Sequence, residues 1–264
     1  MKRIAILAIA ATNQAVYQHY ITSYWTELIR HVEANVAHID VYLLTEHGST
    51  NEWYRGVIDA VIEDPDPDVG RLLAPRFRTI SIPGVLSKTV HALEVLAGRY
   101  DVFFRTNLSS MVMLNEFDRF VQSAPNVSYS GGFIHSGALR RDLIVTDRIG
   151  ADRSITELSE LDAYPGNSFA SGSGFFLSAR DAERLVEERS QLRFDLPDDV
   201  AIGLMFERAT HLTGFSQVVT PETSITEMLQ QIDHCNGPHV RLQHFPLERA
   251  MALWRYVHAA RMWQ

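Results

Sequence analysis

The sequence predicts an α/β domain built on a mostly parallel central sheet, and three observations lead to it. Short apolar runs with strand character alternate with stretches of helical periodicity along most of the chain. No Pro-, Ser- or Gly-rich linker divides the 264 residues, a length sufficient for one large core, so residues 1–264 read as a single domain. The segment Phe169–Gly203 then gathers a glycine-relieved turn, a buried strand and a carboxylate doublet into a few dozen residues.

Strand-like Ile4–Ala10 opens the chain, followed by a helix in which Val16, Tyr20, Tyr24, Leu28 and Val32 recur at helical spacing. Further strands are predicted at Ile39–Leu44, Arg78–Ile82, Val102–Arg105, Val127–Ser130, Phe175–Ser178 and Phe215–Val219. Helices are predicted between them at Ser87–Gly98, Leu114–Gln122, Ala179–Glu188 and Val200–Thr210. This alternation implies parallel strands covered on both faces, with ligands gathered at their carboxyl ends. The exits Ala10–Gln14, Leu44–Gly48 and Arg105–Ser110 are therefore expected to share one crevice. Residues 131–166, rich in Arg, Asp and Ser, read as an insertion over that crevice that could serve as a lid. The final helix, residues 247–262, places Met251, Trp254, Val257 and Met262 on one side and Arg249, Arg255 and Arg261 elsewhere. Packing on the domain is the expected use of that apolar side, with a dimer contact or a membrane surface as alternatives.

A hydrophobic fraction of 46% and a charged fraction of 21% are those of an ordinary soluble protein. The formal net charge of -8 argues against bulk nucleic-acid affinity, which draws on clustered Lys and Arg. The apolar start Ile4–Ala11 is too short for a membrane span or a signal peptide, which leads to the expectation of a cytoplasmic protein. One cysteine, Cys235, excludes an internal disulfide framework and a multi-thiolate zinc site.

Two segments carry the candidate chemistry. In Phe169–Ser178, Gly172, Ser173 and Gly174 form a turn where a residue without Cβ tolerates positive φ and close backbone approach to a ligand. Asp198 and Asp199 follow, just before Val200, where they could cap a helix and aim a carboxylate into the cleft. Capping needs only one Asp, so the doublet argues for a further role. In Tyr100–Ser110 a buried strand ends in Thr106, Asn107, Ser109 and Ser110, hydrogen-bonding groups suited to a polar ligand such as a nucleotide diphosphate or its metal, or to a simple polar loop.

Other signals are weaker. Asp64-Pro65-Asp66-Pro67-Asp68 spells an alternating acidic run, but Val69 stands at the glycine position of a calcium loop, and the run follows a helix-like stretch. It reads as a charged surface turn. The Ser171–Gly174 loop is no nucleophile elbow, since no Gly precedes either serine by two residues. His234, Cys235 and His239 fall short of a zinc ligand set.

In order along the chain, the opening strand, the Ser87-Lys88-Thr89 helix, YDVFFRTNLSS, ASGSGFFLS and PDDVAIG resemble a glycosyltransferase of the GT-A fold, a Rossmann-like domain. The likeness is to the β-1,3-galactosyltransferase-like group and its bacterial and viral relatives. It implies a nucleotide-sugar donor, by default a UDP-sugar, and transfer to a hydroxyl of a glycan acceptor, with inversion. The resemblance places the family's DxD motif on Asn107 and Ser109, so neither carboxylate is present. Its glycine loop falls on Ser171–Gly174, its acidic doublet on Asp198 and Asp199 with Asp199 as the base, and its late histidine on His239, with His244 as fallback. The base and ribose are expected at Ala10, Thr12, Asn13, Thr45 and Glu46. Lys88, Asn107, His239 and Arg241 are expected around the diphosphate, with Arg105 and Thr106 beside them.

The missing carboxylates bear on the cofactor. Mn²⁺ and Mg²⁺ prefer hard, charged oxygen donors. Asn107, Ser109 and His239 would form a carboxylate-poor metal site, or fixed cations would replace the metal, with Lys88 and Arg241 foremost and Arg105 third. The alternative to an enzyme is a GT-A-like module that binds nucleotide or glycan without catalysis.

Overall fold

The computed structural model describes residues 1–10, 15–46, 61–64, 82–124, 127–136, 168–192, 198–219, 224, 226–227, 230, 237–242, 248–250 and 252–253. Its centre is a seven-stranded sheet. In chain order the elements that build it and flank it are β1 (Ile4–Ile9), α1 (Ala15–Tyr20), α2 (Thr26–Asn35), β2 (Ile39–Glu46), β3 (Val61–Asp64), α3 (Ile82–Leu96) and β4 (Val102–Asn107). Then come β5 (Ser110–Val112), α4 (Leu114–Ser123), β6 (Ser130–Gly131), β7 (Ile134–Ser136), β8 (Ser168–Ala170), β9 (Gly174–Ser178) and α5 (Ala179–Glu187). The chain continues through α6 (Asp198–Phe206), β10 (Thr210–His211), β11 (Ser216–Val219) and β12 (His239–Leu242).

The sheet order is β10-β6-β9-β4-β1-β2-β3. Strands β3, β2, β1 and β4 run parallel, and among the described strands of this sheet β9 alone is reversed, antiparallel to both β4 and β6. Ile9 lies level with Leu44 on one side and Asn107 on the other, so β1, β2 and β4 end at one edge. Because β9 is reversed, Gly174 at its start pairs with Thr106 and brings the preceding turn to that same edge. One sheet edge thus collects residues far apart in sequence.

Strand periodicity sorts the core into two layers. Ile4, Ile6, Ala8, Val102, Phe104 and Phe176 pack with α2, α4 and β11–β12. Ala5, Leu7, Ile9, Phe103, Phe175 and Leu177 pack with α3, α5 and α6. In the first layer Phe104 meets Phe117, Phe176 and Phe215 with ring centroids 5.1, 4.7 and 5.5 Å away. The alternation continues past the apolar residues, leaving Arg105 and Asn107 on the second layer's side and Thr106 on the first.

Several expectations change. The first helix is not continuous: a π-helical turn, Ile21–Trp25, separates α1 from α2. Its residues Tyr24 and Trp25 donate to the carbonyls of Val112 and Leu108, both at 3.0 Å, and so pin the chain beyond β4. Helix α6 starts at Asp198 and stops at Phe206, because Glu207 turns to φ 62 and the chain proceeds into β10. The predicted strand at Val127–Ser130 is reduced to Ser130–Gly131. Phe215–Val219 yields β11, which joins β12 and β5 in a separate three-stranded sheet rather than the central one. Val61–Asp64 is a strand, so the acidic run at Asp64 begins at a strand end and not after a helix. Residues 78–81 of the predicted strand Arg78–Ile82 lie outside the described residues, and Ile82 opens α3. Of the insertion, residues 137–166 lie outside them, and 134–136 form β7, paired with β8. Of the final helix, 248–250 and 252–253 are described, and they are helical.

Candidate functional site

Three elements converge at the carboxyl edge of the sheet: the end of β4, the turn Ser171–Gly174 and the first turn of α6. Arg105 ties them. Its guanidinium pairs with Asp198 at 2.6 Å, donates to Asn107 Oδ1 at 3.1 Å and donates to the carbonyl of Gly172. Asn107 lies two residues on, hence on the same side of the strand. The Arg105 side chain is 3% exposed and sits over the Phe175 ring at 5.5 Å, whereas that of Asp198 is 12% exposed, so the pair opens outward on its carboxylate side.

Asp199 faces the turn directly. Its Oδ2 accepts the backbone N–H of Gly172 at 2.9 Å, and its Oδ1 accepts that of Val200 at 3.0 Å. The doublet occupies the first turn of α6, where unpaired N–H groups and the helix dipole favour negative charge. The glycines act here by close approach and not by handedness: among the described residues the positive-φ glycines are Gly98 and Gly214. A Cβ on Gly172 would lie 3.3 Å from both Arg105 Nη1 and Asp199 Oδ2, and one on Gly174 would lie 2.8 Å from His239 Cε1.

Beneath the turn, Thr106 Oγ1 donates to the Ser173 carbonyl at 2.8 Å and Ser110 Oγ donates to the same oxygen at 3.2 Å. Ser173 also donates its hydroxyl to that of Ser171 at 3.1 Å. With the Thr106 proton committed, its oxygen accepts from Nε2–H of His239 at 3.3 Å, and His239 Nδ1 accepts from Ser216 Oγ at 2.8 Å. His239 is completely buried, with its ring stacked on Phe215 at 5.9 Å. Both nitrogens are therefore held by protein, and the histidine supports the turn from below instead of facing the crevice.

Burial pushes the His239 pKa down to about 3, against a hydrogen bond from the imidazole to the Ser173 carbonyl that raises it and with the Arg241 charge lowering it further. Below about pH 6.5 the unfolded chain takes up a proton that the folded protein refuses until about pH 3. The unfolded state thus binds more protons in this window, and stability falls as pH falls through it, by at most about 1.4 kcal/mol per pH unit. Denaturant midpoints measured at pH 7 and pH 5 are expected to drop more for the wild type than for His239→Gln. Equal drops would contradict the assignment.

The remaining predicted residues lie around this centre. Buried Lys88 on α3 donates to the carbonyl of Ala10, the residue leaving β1, at 3.5 Å. Thr45 is buried near the end of β2, where Glu46 closes the strand. Arg241 lies on β12 opposite Ser110, and the half-buried Ser109 accepts Leu242 N–H through its carbonyl at 3.0 Å. Thr12, Asn13 and His244 lie outside the described residues.

Sequence reasoning missed Tyr129, a buried tyrosine whose hydroxyl accepts Ala170 N–H at 3.0 Å and so steadies the strand leading into the turn. Its pKa is raised, chiefly by burial, with the charges of Asp199 and Asp198 adding to the effect. It also missed Ser216. Neither carries a signal in a single sequence, since the fold alone brings them to the site.

These residues do not fit a divalent cation. Asn107 Oδ1 already accepts from a guanidinium, Asp198 is neutralised by the same group, and His239 turns both nitrogens inward. Among the described residues no group of three His, Cys, Asp or Glu side chains could hold a metal ion.

No protein-family model matches the chain, and no curated protein matches its sequence. Among solved structures the chain is similar to mouse xyloside xylosyltransferase 1 in its apo form, with a TM-score of 0.44 and 11% identity over 92% of this chain and 98% of that one. It is also similar to a glycosyltransferase involved in glycosylation of the major capsid of PBCV-1, with a TM-score of 0.47 and 11% identity over 97% of this chain and 100% of that one. A third is an active-site mutant of LgtC, with a TM-score of 0.47 and 12% identity over 96% of this chain and 95% of that one.

Proposed function

We propose that this chain is a GT-A-type glycosyltransferase that moves a sugar from a nucleotide-sugar donor, a UDP-sugar by default, to a hydroxyl of a glycan acceptor. The observation that carries the reading is the meeting of Asn107, the glycine turn and the acidic doublet at one sheet edge, with Asp199 held on the Gly172 N–H at 2.9 Å. Ligands of such sheets collect at that edge.

In this reading the donor lies across the ends of β1, β2 and β4. Ala10, Thr45 and the exits beyond them meet the nucleoside, Lys88 and Arg241 meet the diphosphate, and Gly172–Gly174 lie against the sugar. Asp199 takes the proton of the acceptor hydroxyl as that oxygen bonds to the anomeric carbon. The anomeric carbon–oxygen bond to the diphosphate breaks in the same displacement, and the nucleoside diphosphate leaves with the electron pair. Attack opposite the leaving group inverts the anomeric centre. Asp198, paired with Arg105, is the poorer base and the better group for orienting acceptor hydroxyls.

Leaving-group charge is met by fixed cations in this proposal. Purified protein is expected to release nucleotide from one member of a UDP-, GDP-, TDP- and CMP-sugar panel in the presence of a mixed glycan acceptor pool, at rates in EDTA within about 3-fold of those in Mn²⁺, because a positioned side-chain cation needs no exchangeable partner. Abolition by EDTA would contradict the metal-free reading while leaving the transferase reading intact. Tight nucleotide binding with no release from any donor would favour a binding module.

A further inference from the structure

We infer that Arg105 is a positioning residue that does internally what a bridging cation would do: it fixes the exit of β4, the glycine turn and the acidic helix to one another, and through them sets the direction of Asp199. This rests on the transferase reading above and assigns Arg105 a role different from that of a diphosphate contact.

The argument is geometric. Asn107 Oδ1 belongs to β4 and the Gly172 carbonyl to the turn, and both accept from one guanidinium, which also forms an ion pair with Asp198 of α6 at 2.6 Å. A planar fork with five N–H donors can hold two acceptors and a counter-charge at once in fixed directions, which the ammonium of lysine on a flexible stem does poorly. The Arg105 side chain is 3% exposed, so its charge is directed at these partners and away from solvent. Gly172 joins the two carboxylates: its carbonyl accepts from Arg105, and its N–H donates to Asp199. A displacement of Arg105 therefore reaches Asp199 through one residue. The charges also balance locally. Asp198 and Asp199 are adjacent in the first turn of α6, and Arg105 offsets the charge of one member of the doublet.

The same contacts explain the poor fit to a divalent cation. The oxygen that such an ion would take from Asn107, and the carboxylate that it would take from the doublet, are both held by the guanidinium.

The test is a kinetic cycle with the full chain and the donor found for the wild type, comparing wild type, Arg105→Met, Arg105→Lys, Asp198→Asn and Arg105→Met/Asp198→Asn. Thermal melting is measured in parallel, and rates are expressed per folded molecule. Arg105→Met is expected to lower kcat about 100-fold, the scale of a misplacement of about 1 Å, with donor KM changed less than about 3-fold. Arg105→Lys is expected to recover about 10-fold of that loss, since it restores charge without the fork. The double variant is expected within about 3-fold of Arg105→Met, because the two residues act as one unit.

A rise in donor KM with kcat preserved would overturn the inference in favour of a diphosphate contact. Lower melting temperatures with unchanged kcat per folded molecule would overturn it in favour of a purely structural role. If Arg105→Met does not fold, Arg105→Lys and Asp198→Asn decide alone: a shared loss of kcat supports the inference, and unchanged kcat in both overturns it. Absence of turnover by the wild type on every donor and acceptor would remove the transferase reading and the inference with it, a result distinct from any variant effect.

Discussion

Asp199→Asn is expected to lower kcat by about 100- to 10,000-fold while donor affinity stays within about 3-fold, the signature of losing a general base. The substitution preserves size and keeps one amide oxygen. That oxygen can still accept the Gly172 N–H that Asp199 now holds at 2.9 Å. The amide nitrogen replaces the other acceptor, so the Val200 N–H loses its partner at 3.0 Å, at a cost of about 1 kcal/mol to α6. That loss is small against the stability of a folded domain. The rate therefore reports chemistry: an amide has no basic lone pair to receive the acceptor proton, whereas nothing in the donor's expected path across β1, β2 and β4 depends on it.

Gly203→Ala is expected to damage both stability and turnover, although Gly203 carries no chemistry. Helix α6 lies so close to β8 that a Cβ there would stand 2.2 Å from Phe169 Cβ and 3.2 Å from its Cα. Replacing Gly by Ala in a helix interior gains about 1 kcal/mol in propensity, but overpacking costs about 1–3 kcal/mol, and here the obstacle includes backbone. The helix must move. Gly203 follows Asp199 by four residues and shares its face, so the movement that relieves Phe169 withdraws Asp199 from Gly172. A melting temperature lower by about 2–6 °C is expected, together with a kcat lower by roughly 10- to 100-fold per folded molecule. Calorimetry and kinetics on the same preparation separate the two effects.

The parts of the fold visible in the sequence are those with strong local signals. The uninterrupted apolar run of β1 and the runs Val102–Phe104 and Phe175–Leu177 mark strands buried on both faces, and the structure buries every residue of them. The serine at position 178 caps α5, with Asp181 returning the bond, and that pattern is also local. What escaped notice depends on partners distant in sequence. Strand β5 is three residues long, and β12 is four with alternating polarity. β5 is a strand because β12 pairs with it, and β12 because β11 and β5 flank it. The reversal of β9 cannot be read from its composition, yet it alone brings Gly174 beside Thr106.

The site divides in the same way. The residue types at the sheet edge were legible, because a cluster of small polar groups after a buried strand and an acidic doublet before an apolar helix stand out against their neighbours. Their wiring was not. Arg105 ends an apolar strand and reads as a lone cation, but its two acceptors and its ion-pair partner come from β4, the glycine turn and α6. The resemblance makes His239 a ligand contact, and the fold instead seals it between Thr106 and Ser216. Periodicity tells which face a residue occupies, and tertiary packing decides whether that face meets a ligand or another strand.

The most direct test of the account is to measure nucleotide release and donor affinity for the wild type and Asp199→Asn side by side, using the sugar donor that the wild type turns over. The expected result is loss of release with donor binding retained. Release by Asp199→Asn at a rate close to that of the wild type would contradict the assignment of Asp199 as the base on which the proposed transfer depends.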